Sequence, residues 1–260
     1  MPRVGVGFRD FERKFERERD VWRVRRKDSN DRKTYDEVFD KDNLMRIYKL
    51  FSDGVIDQID FPISTGKEGN VFRALTSDGR HLALKIYRTS TATYKDMAKY
   101  IIGDPRFKGI SRNRRKLIMA WSSKEYRNLQ RFYEAGVRVP KAVACHKNLI
   151  VMEYIGTESS PAPMMRSVHL DAPDEVAETL LGYVRKAYAD AQLVHGDLSE
   201  FNVLMDGEEP VLIDVGQSVL TGHPMAEELL MRDLGNIARY FRRYGLNIDV
   251  EQELKGIRRR

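Results

Sequence analysis

The sequence predicts an α+β protein of two lobes, a small β-rich lobe followed by a helical lobe, with extra helices before the first strand. Three observations support this fold class. Aromatic residues at helical spacing precede Gly54, short segments punctuated by Gly and Pro follow from Val55, and longer helical patterns dominate the second half. We therefore divide the chain into an N-terminal helical extension (1–60), an N-lobe with its hinge (61–155) and a C-lobe (156–260).

The N-terminal extension carries two amphipathic patterns. Aromatic residues recur close to helical spacing among charged residues, at Phe8, Phe11, Phe15 and Trp22. They predict a helix over about residues 8–26, which needs a partner to cover its aromatic face. A second helix is predicted from Asp42 to Gly54, with one apolar face formed by Leu44, Ile47, Tyr48 and Phe51.

The N-lobe contains a predicted hairpin, in which residues 77–79 join strands over 70–75 and 81–87. Residues 89–115 are highly charged, contain Gly103, Pro105 and Gly109 and show weak periodicity, so a long, mobile insertion is expected there. Apolar periodicity then predicts a helix over 117–132, a strand over 149–155, a helix over 173–191, strands over 203–205 and 211–213, and a helix over 226–244.

The composition favours a partner with negative charge. Lys and Arg number 45 against 39 Asp and Glu, which gives a formal charge of +6. Basic residues cluster at 23–27, 112–116 and 258–260, a grouping typical of contacts with nucleic-acid phosphates. A solvated surface with many ion pairs explains the same composition.

The cysteine and apolar content argue for a reducing compartment and against a membrane protein. Cys145 is the only cysteine, so a disulfide framework or a cysteine-rich zinc site is excluded. No apolar run approaches the roughly 18 residues that a membrane span needs, and no signal-peptide core precedes the first charges. We expect a cytoplasmic protein that does not bind membranes and that acts as a monomer.

The strongest chemical signal is the segment LVHGDLSEFNVL at residues 193–204. It places Asp197 and Asn202 five residues apart on a loop between apolar strands. Asp197 can orient a nucleophile or accept its proton, and the amide oxygen of Asn202 can hold a metal ion. His195 is expected to brace the loop by hydrogen bonding. Asp214 follows a second apolar strand and precedes Gly216, where it can bind magnesium.

Two earlier segments complete the set. The run Ser64, Thr65, Gly66, Lys67, Glu68, Gly69, Asn70 and Val71 enters a strand with small residues that let backbone N–H groups approach phosphate oxygens. By itself this run is better explained as an ordinary tight turn. Lys85 follows 14 residues after Val71, in the apolar strand Leu-Ala-Leu-Lys-Ile.

These segments occur in the order found in protein kinases, and the resemblance implies a two-lobed protein-kinase-like fold with a small β-rich N-lobe and a reduced C-lobe. It assigns Lys85 to the α- and β-phosphates of a nucleotide, with Glu125 on the next helix as its partner. It also places adenine between the lobes, with Met152 at the back of the pocket and the backbone of Glu153 and Ile155 at the base edge.

The motifs resemble the first branch of the RIO kinases more specifically. The segments that carry the resemblance are STGKEGN at 64–70, ALKIYRT at 83–89, LVHGDLSEFN at 193–202, IDVGQSV at 213–219, His223-Pro224 and Arg232-Asp233. The match extends from about Asp60 to Phe241, and the N-terminal helices also fit that branch. The second branch begins instead with a winged-helix domain, for which residues 1–60 are too short.

The resemblance implies a serine/threonine protein kinase that binds ATP with Mg2+ or Mn2+, phosphorylates itself and hydrolyses ATP. It further implies a role in maturation of the small ribosomal subunit, with the subunit precursor and its RNA as partners. A phosphorylated aspartate, here Asp214, and an autophosphorylated loop, here with Ser111 as the candidate, belong to the same expectation.

The sequence departs from ordinary protein kinases at several points. Ser64 replaces a glycine of the phosphate loop, and Gly196 replaces an arginine that grips a phosphorylated activation loop. No Ala-Pro-Glu segment follows Asp214, so a peptide-docking lobe is not expected. Two alternatives stay open: a small-molecule phosphotransferase of the aminoglycoside or sugar type, and a non-catalytic RNA-binding assembly factor.

Overall fold

The computed structural model describes residues 7–13, 15, 38–66, 69–88, 94–101, 104–107 and 113–259. Residues 8–13 and 15 are helical, in agreement with the first predicted helix, whose remainder lies outside the described residues. Helix α1 (Lys41–Ser52) confirms the second. The side chain of Asp40 caps its N-terminus by accepting from Asn43 N at 2.8 Å, and Gly54 follows its end at φ +70°.

A five-stranded antiparallel sheet forms the core of the first lobe, in the order β1-β2-β3-β5-β4. The strands are β1 (Gln58–Thr65), β2 (Gly69–Leu75), β3 (His81–Tyr87), β4 (Ala142–His146) and β5 (Leu149–Glu153). The predicted hairpin is confirmed as β2–β3. Pro62 interrupts the register of β1, and neither β1 nor the short β4 was predicted.

The N-terminal aromatic residues pack on the outer face of this sheet. The ring of Phe15 lies 5.0 Å from that of Phe39, and Phe39 lies 5.0 Å from Phe72 on β2. All three side chains are buried in one apolar cluster. The sheet is therefore the partner that the aromatic face of the first helix requires.

The insertion predicted over 89–115 contains regular structure in its described part. Helix α2 (Tyr94–Ile101) and a 3-10 turn (Pro105–Phe107) lie there, and Asn113 caps the next helix. Met97, Tyr100 and Ile101 are buried at helical spacing, because three apolar side chains suffice to dock a two-turn helix. The abundant charges of the segment obscured that spacing.

Helix α3 (Arg114–Glu134) runs between the sheet and the second lobe. The second lobe comprises helices α4 (Pro173–Ala189), α5 (Ala226–Arg242) and α6 (Val250–Arg258) and the short strands β6 (Leu193–Val194), β7 (Val203–Asp206), β8 (Glu209–Leu212) and β9 (Val219–Leu220). Strand β6 pairs with β9, and β7 pairs with β8. Two loops consequently open toward the first lobe, one between β6 and β7 and the other between β8 and β9. None of the helices in the described ranges is long and apolar enough to cross a membrane.

Candidate active site

A cleft of about 440 Å³ separates the two lobes. The first lobe contributes strands β1 to β3, and the second contributes the loops after β6 and β8. The lining residues are Ile63, Ser64, Gly66, Gly69, Val71, Ala83, Lys85, Glu125, Leu129, Pro140, Met152, Glu153, Tyr154, Ile155, Pro161, Ala162, Met164, Phe201, Asn202, Leu204, Ile213 and Asp214.

Lys85 joins three elements inside this cleft. Its Nζ lies 2.8 Å from Glu125 Oε1 on α3 and 3.0 Å from Asp214 Oδ1 after β8. The side chain of Glu125 is 2% exposed, whereas that of Asp214 is 46% exposed. Lys85 therefore links a buried carboxylate to one that faces the open cleft.

The charges of these groups stabilise one another. Burial alone would lower the pKa of Lys85, but the carboxylates of Asp214 and Glu125 raise it above its ordinary value. The Lys85 ammonium holds the pKa of Asp214 below its usual range. At neutral pH the site thus presents a charged ammonium beside two carboxylates.

Asp197 lies on the loop between β6 and β7, where amide groups fix its carboxylate. Asn202 Nδ2 donates to the backbone oxygen of Asp197 at 2.8 Å and to its Oδ2 at 3.2 Å. Gln217 Nε2 donates to the same Oδ2 at 3.0 Å. Burial and the nearby charge of Asp214 raise the pKa of Asp197. A carboxylate held in this way can orient a hydroxyl group or accept its proton.

His195 braces this loop, as expected from the sequence. Its Nε2 lies 3.2 Å from Ile213 O, and its Nδ1 accepts from Asp197 N at 3.3 Å. Burial lowers the pKa of His195 to about 4, so the ring is neutral and carries its proton on Nε2. His195 consequently connects the loop of Asp197 to the strand that leads to Asp214.

Helix α5 supports the loop between β6 and β7 through hydrogen bonds. The buried carboxylate of Asp233 accepts from Gly196 N at 2.7 Å and from Leu198 N at 2.9 Å. Asn236 Nδ2 donates to Leu198 O at 2.9 Å, and Arg232 donates to Gly196 O. Gly196 itself has φ +79°, and a Cβ atom added to it would lie only 3.2 Å from Gln217 O, so a larger residue does not fit there.

The donor set suits a hard divalent cation in combination with phosphate oxygens. Asp214 has a left-handed backbone, with φ 59° and ψ 53°, that turns its carboxylate into the cleft. Both hydrogen bonds of the Asn202 side chain use Nδ2, which leaves Oδ1 for a metal ion. No cluster of three or more His, Cys, Asp or Glu in the described ranges could hold a metal alone.

The glycine-containing segment only partly lines the cleft. Ser64, Gly66, Gly69 and Val71 face it, and Gly66 N donates to Gly69 O at 2.9 Å. Thr65 is exposed and does not belong to the lining.

Asn70 has a different environment from its neighbours. Its side chain is buried on the face of β2 that carries Phe72 and Ala74, and its Oδ1 accepts from Arg88. The alternation of side chains along β2 explains this, because Gly69 and Val71 share the opposite face. Lys67, Glu68 and the candidate phosphorylation residue Ser111 lie outside the described residues.

Met152, Glu153 and Ile155 line the cleft where β5 passes into the second lobe. The carbonyl of Ile155 accepts from Ala162 N at 3.0 Å, so its N–H is the backbone group left for a ligand. The Glu153 side chain points elsewhere and binds Arg138 through two contacts of 2.8 and 2.9 Å. Sequence reasoning missed Arg138 and Gln217, and it assigned no role to Asp233.

Comparison with known proteins gives a consistent result. The profile of the RIO domain family matches residues 70–254. A RIO-type serine/threonine-protein kinase Rio1 of Haloferax volcanii is 44% identical over 237 residues, which cover 91% of this chain and 81% of that protein. The human serine/threonine-protein kinase RIO1 is 39% identical over 94% of this chain, which spans only 43% of the human protein.

A solved structure shows the same architecture. The Rio2 kinase of Chaetomium thermophilum, in an ADP/Mg2+-phosphoaspartate complex, superposes with a TM-score of 0.62 at 23% identity. The likeness covers 82% of this chain and 65% of that one. It supports a two-lobed kinase fold with the cleft between the lobes.

Proposed function

The chain belongs to the RIO domain family and is an atypical serine/threonine protein kinase, and we propose that its cleft binds ATP with Mg2+ or Mn2+ and transfers the γ-phosphoryl group. One observation carries this proposal: Lys85 contacts both Glu125 and Asp214 within the cleft. The ammonium would hold the phosphates, while Asp214 and Asn202 would hold the metal ion, which neutralises phosphate charge when bound.

Each neighbouring group has a defined task in this proposal. Asp197 orients the acceptor hydroxyl, and its raised pKa favours proton uptake. The backbone at Gly66 and Gly69 covers the phosphates, because neither residue has a side chain that would hold the backbone away from them. Met152 and the backbone of Glu153 and Ile155 contact the adenine.

Asp214 is also a candidate phosphoryl acceptor. Its carboxylate is 46% exposed to the cleft, and the Rio2 neighbour is described as a phosphoaspartate complex. Attack of an Asp214 oxygen on the γ-phosphorus would release ADP and leave an acyl phosphate, which water would then cleave to phosphate and aspartate. We propose autophosphorylation at Ser111 and this ATPase cycle as two outcomes of one site.

Substitution tests the catalytic proposal directly. Asp197→Asn and Asp214→Asn should each lower ATP turnover by on the order of a hundredfold or more. Asp190→Asn, at an exposed position just after α4, is the matched control. Transfer from γ-labelled ATP, followed by hydroxylamine treatment, separates an acyl phosphate from a serine phosphate. Unchanged turnover in both site variants would refute the proposal.

We also propose that the protein acts in the cytoplasm as a monomer on the small ribosomal subunit precursor and its RNA. The formal charge of +6 supports an electrostatic contact, as do exposed Arg239 and Arg242 on α5, Arg243 just after it and Arg258 on α6. Binding to precursor RNA should weaken steeply with added salt, and a salt-insensitive complex would contradict this part of the proposal. The family match argues against the small-molecule phosphotransferase.

A further inference from the structure

Helix α3 presents one polar face to the loop that follows Asp214. Trp121, Lys124 and Asn128 lie at successive turns of the helix and are buried. They flank Glu125, but neither Lys124 nor Asn128 lines the nucleotide cleft. Neither of these two polar side chains takes part in the proposed phosphoryl transfer.

Both side chains donate to backbone oxygens of that loop. Lys124 Nζ lies 2.8 Å from Gly216 O and also donates to Ser218 O. Asn128 Nδ2 lies 2.9 Å from Val215 O and 3.2 Å from Ser218 O. Three carbonyls within four residues are therefore held from a single helix.

The loop has little freedom to adopt another path. A Cβ atom at Gly216 would lie 3.0 Å from three ring atoms of Trp121, so the backbone rests directly on the indole. The same loop carries Gln217, whose amide reaches Asp197 Oδ2 at 3.0 Å. Its position thus affects both candidate catalytic carboxylates.

A buried ammonium is an unfavourable way to satisfy carbonyl groups, because desolvation penalises its charge. Burial accordingly lowers the pKa of Lys124 to about 7. Asp214 immediately precedes the carbonyl groups to which Lys124 and Asn128 donate, and it has the left-handed φ of 59° that non-glycine residues rarely adopt. Such a conformation persists only where its surroundings hold it in place.

We propose that Lys124 and Asn128 are positioning residues, which hold the loop so that Asp214 keeps its left-handed backbone and its metal-binding orientation. This inference rests on the proposed metal-binding role of Asp214. It predicts that loss of either donor weakens the use of the metal ion more than the binding of the nucleotide itself.

The contact chain extends to the segment before α3. Asn128 Oδ1 accepts from Arg106 Nη1 at 3.0 Å, and Arg106 binds Asp104 at 2.7 to 3.1 Å. The turn at Pro105–Phe107 is consequently tied to the loop of Asp214 through Asn128. A change at Arg106 should affect metal use in the same direction as a change at Asn128, and more weakly.

Calorimetric titration with ADP, with and without Mg2+, tests the proposal without requiring activity. In Lys124→Met, ADP affinity without metal should stay within about twofold of the original, while the strengthening by Mg2+ should fall about tenfold. Asn128→Leu should show the same selective loss. Lys116→Met, at an exposed position on the same helix, should behave like the unmodified protein.

The outcomes separate the inference from the proposed function. If Asp214→Asn abolishes the Mg2+ effect but Lys124→Met and Asn128→Leu keep it, the positioning role is refuted and the metal role of Asp214 stands. If Asp214→Asn keeps the Mg2+ effect, the proposed function of Asp214 fails first. An equal loss of ADP affinity with and without metal in Lys124→Met would indicate only a general folding role and would also overturn the inference.

Discussion

The Oε1 atom of Glu125 lies 2.8 Å from the Nζ atom of Lys85, and the contact joins α3 to β3 across the back of the cleft. Lys85 is 12% exposed and Glu125 2% exposed, so water screens this ion pair weakly. The position of α3 therefore fixes where the Lys85 ammonium lies in the cleft, beside Asp214.

Replacement of Glu125 by Gln should reduce ATP turnover roughly 10- to 100-fold, on the scale of losing a partner that orients a functional side chain. Glutamine keeps the shape but removes the charge, so the Lys85 ammonium pairs more strongly with Asp214 and competes with the metal ion. Steady-state kinetics at several Mg2+ concentrations would measure the effect. Glu134→Gln, at the exposed end of the same helix, is the control, and equal kinetics for both variants would contradict the prediction.

Asp233→Asn should destabilise the protein by about 1–3 kcal/mol, the usual cost of leaving a buried donor unsatisfied. Asp233 accepts from Gly196 N with one carboxylate oxygen and from Leu198 N with the other. An asparagine side chain has a single accepting oxygen, so one of these N–H groups would lose its partner. Urea denaturation would measure the loss, which should be accompanied by lower turnover because the loop of Asp197 loses its support. Asp190→Asn, at an exposed position just after α4, should change neither, and an unaltered midpoint for Asp233→Asn would disprove the bracing role.

His195 should make the folded state less stable in acid. Burial lowers its pKa from 6.5 to about 4. Between these pH values His195 is protonated in the unfolded chain but neutral in the folded chain. The free energy of unfolding therefore falls as the pH drops through this window, by at most about 3 kcal/mol from this residue. Above pH 6.5 its contribution is constant.

His195→Asn isolates this contribution, because asparagine can still accept from Asp197 N but does not titrate. Urea denaturation of both proteins at pH 7 and near pH 4.5 gives the comparison. The stability advantage of the original protein over the variant should shrink toward acid pH. A difference that stays the same at both pH values would show that His195 is not held neutral.

Gly69→Ala should weaken both folding and nucleotide binding. A Cβ atom there would lie 2.5 Å from the backbone oxygen of Ile86, so β2 must shift away from β3 and displace the edge of the cleft that Gly69 and Val71 line. We expect a loss of about 1–3 kcal/mol in unfolding free energy and reduced ADP affinity. Gly182→Ala on α4 meets no atom within 4 Å and should instead stabilise the protein by up to about 1 kcal/mol.

The sequence allowed prediction of the elements that carry long periodic patterns, and of four residues that line one cleft: Lys85, Glu125, Asn202 and Asp214. The fifth, Asp197, lies beside the cleft in contact with Asn202. All five stand at strand ends, loops and helix positions that apolar flanks make recognisable. Their catalytic roles stay predictions. The two-residue strands β6 and β9 are too short for any alternating pattern, and the Pro62 irregularity hides β1.

Most of the functional side chains that could not be predicted from the sequence donate to backbone oxygens. Lys124 and Asn128 resemble solvated helix residues in sequence, because a carbonyl partner leaves no mark on the residue that supplies it. Asn70 is a different case. Its place on the far face of β2 follows from the two-residue period of a strand once Gly69 and Val71 are assigned to the cleft.

Arg138 has a mechanical consequence for the enzyme. Its side chain binds Glu153 at the end of β5 and approaches Asp206 and Glu209 of the β7–β8 hairpin at 3.7 and 3.5 Å, while its carbonyl accepts from Leu212 N at 2.9 Å. The two lobes are thus pinned to each other behind the cleft. A separation of the lobes about this point would widen the cleft least near Met152 and Glu153 and most near Gly66 and Asp214.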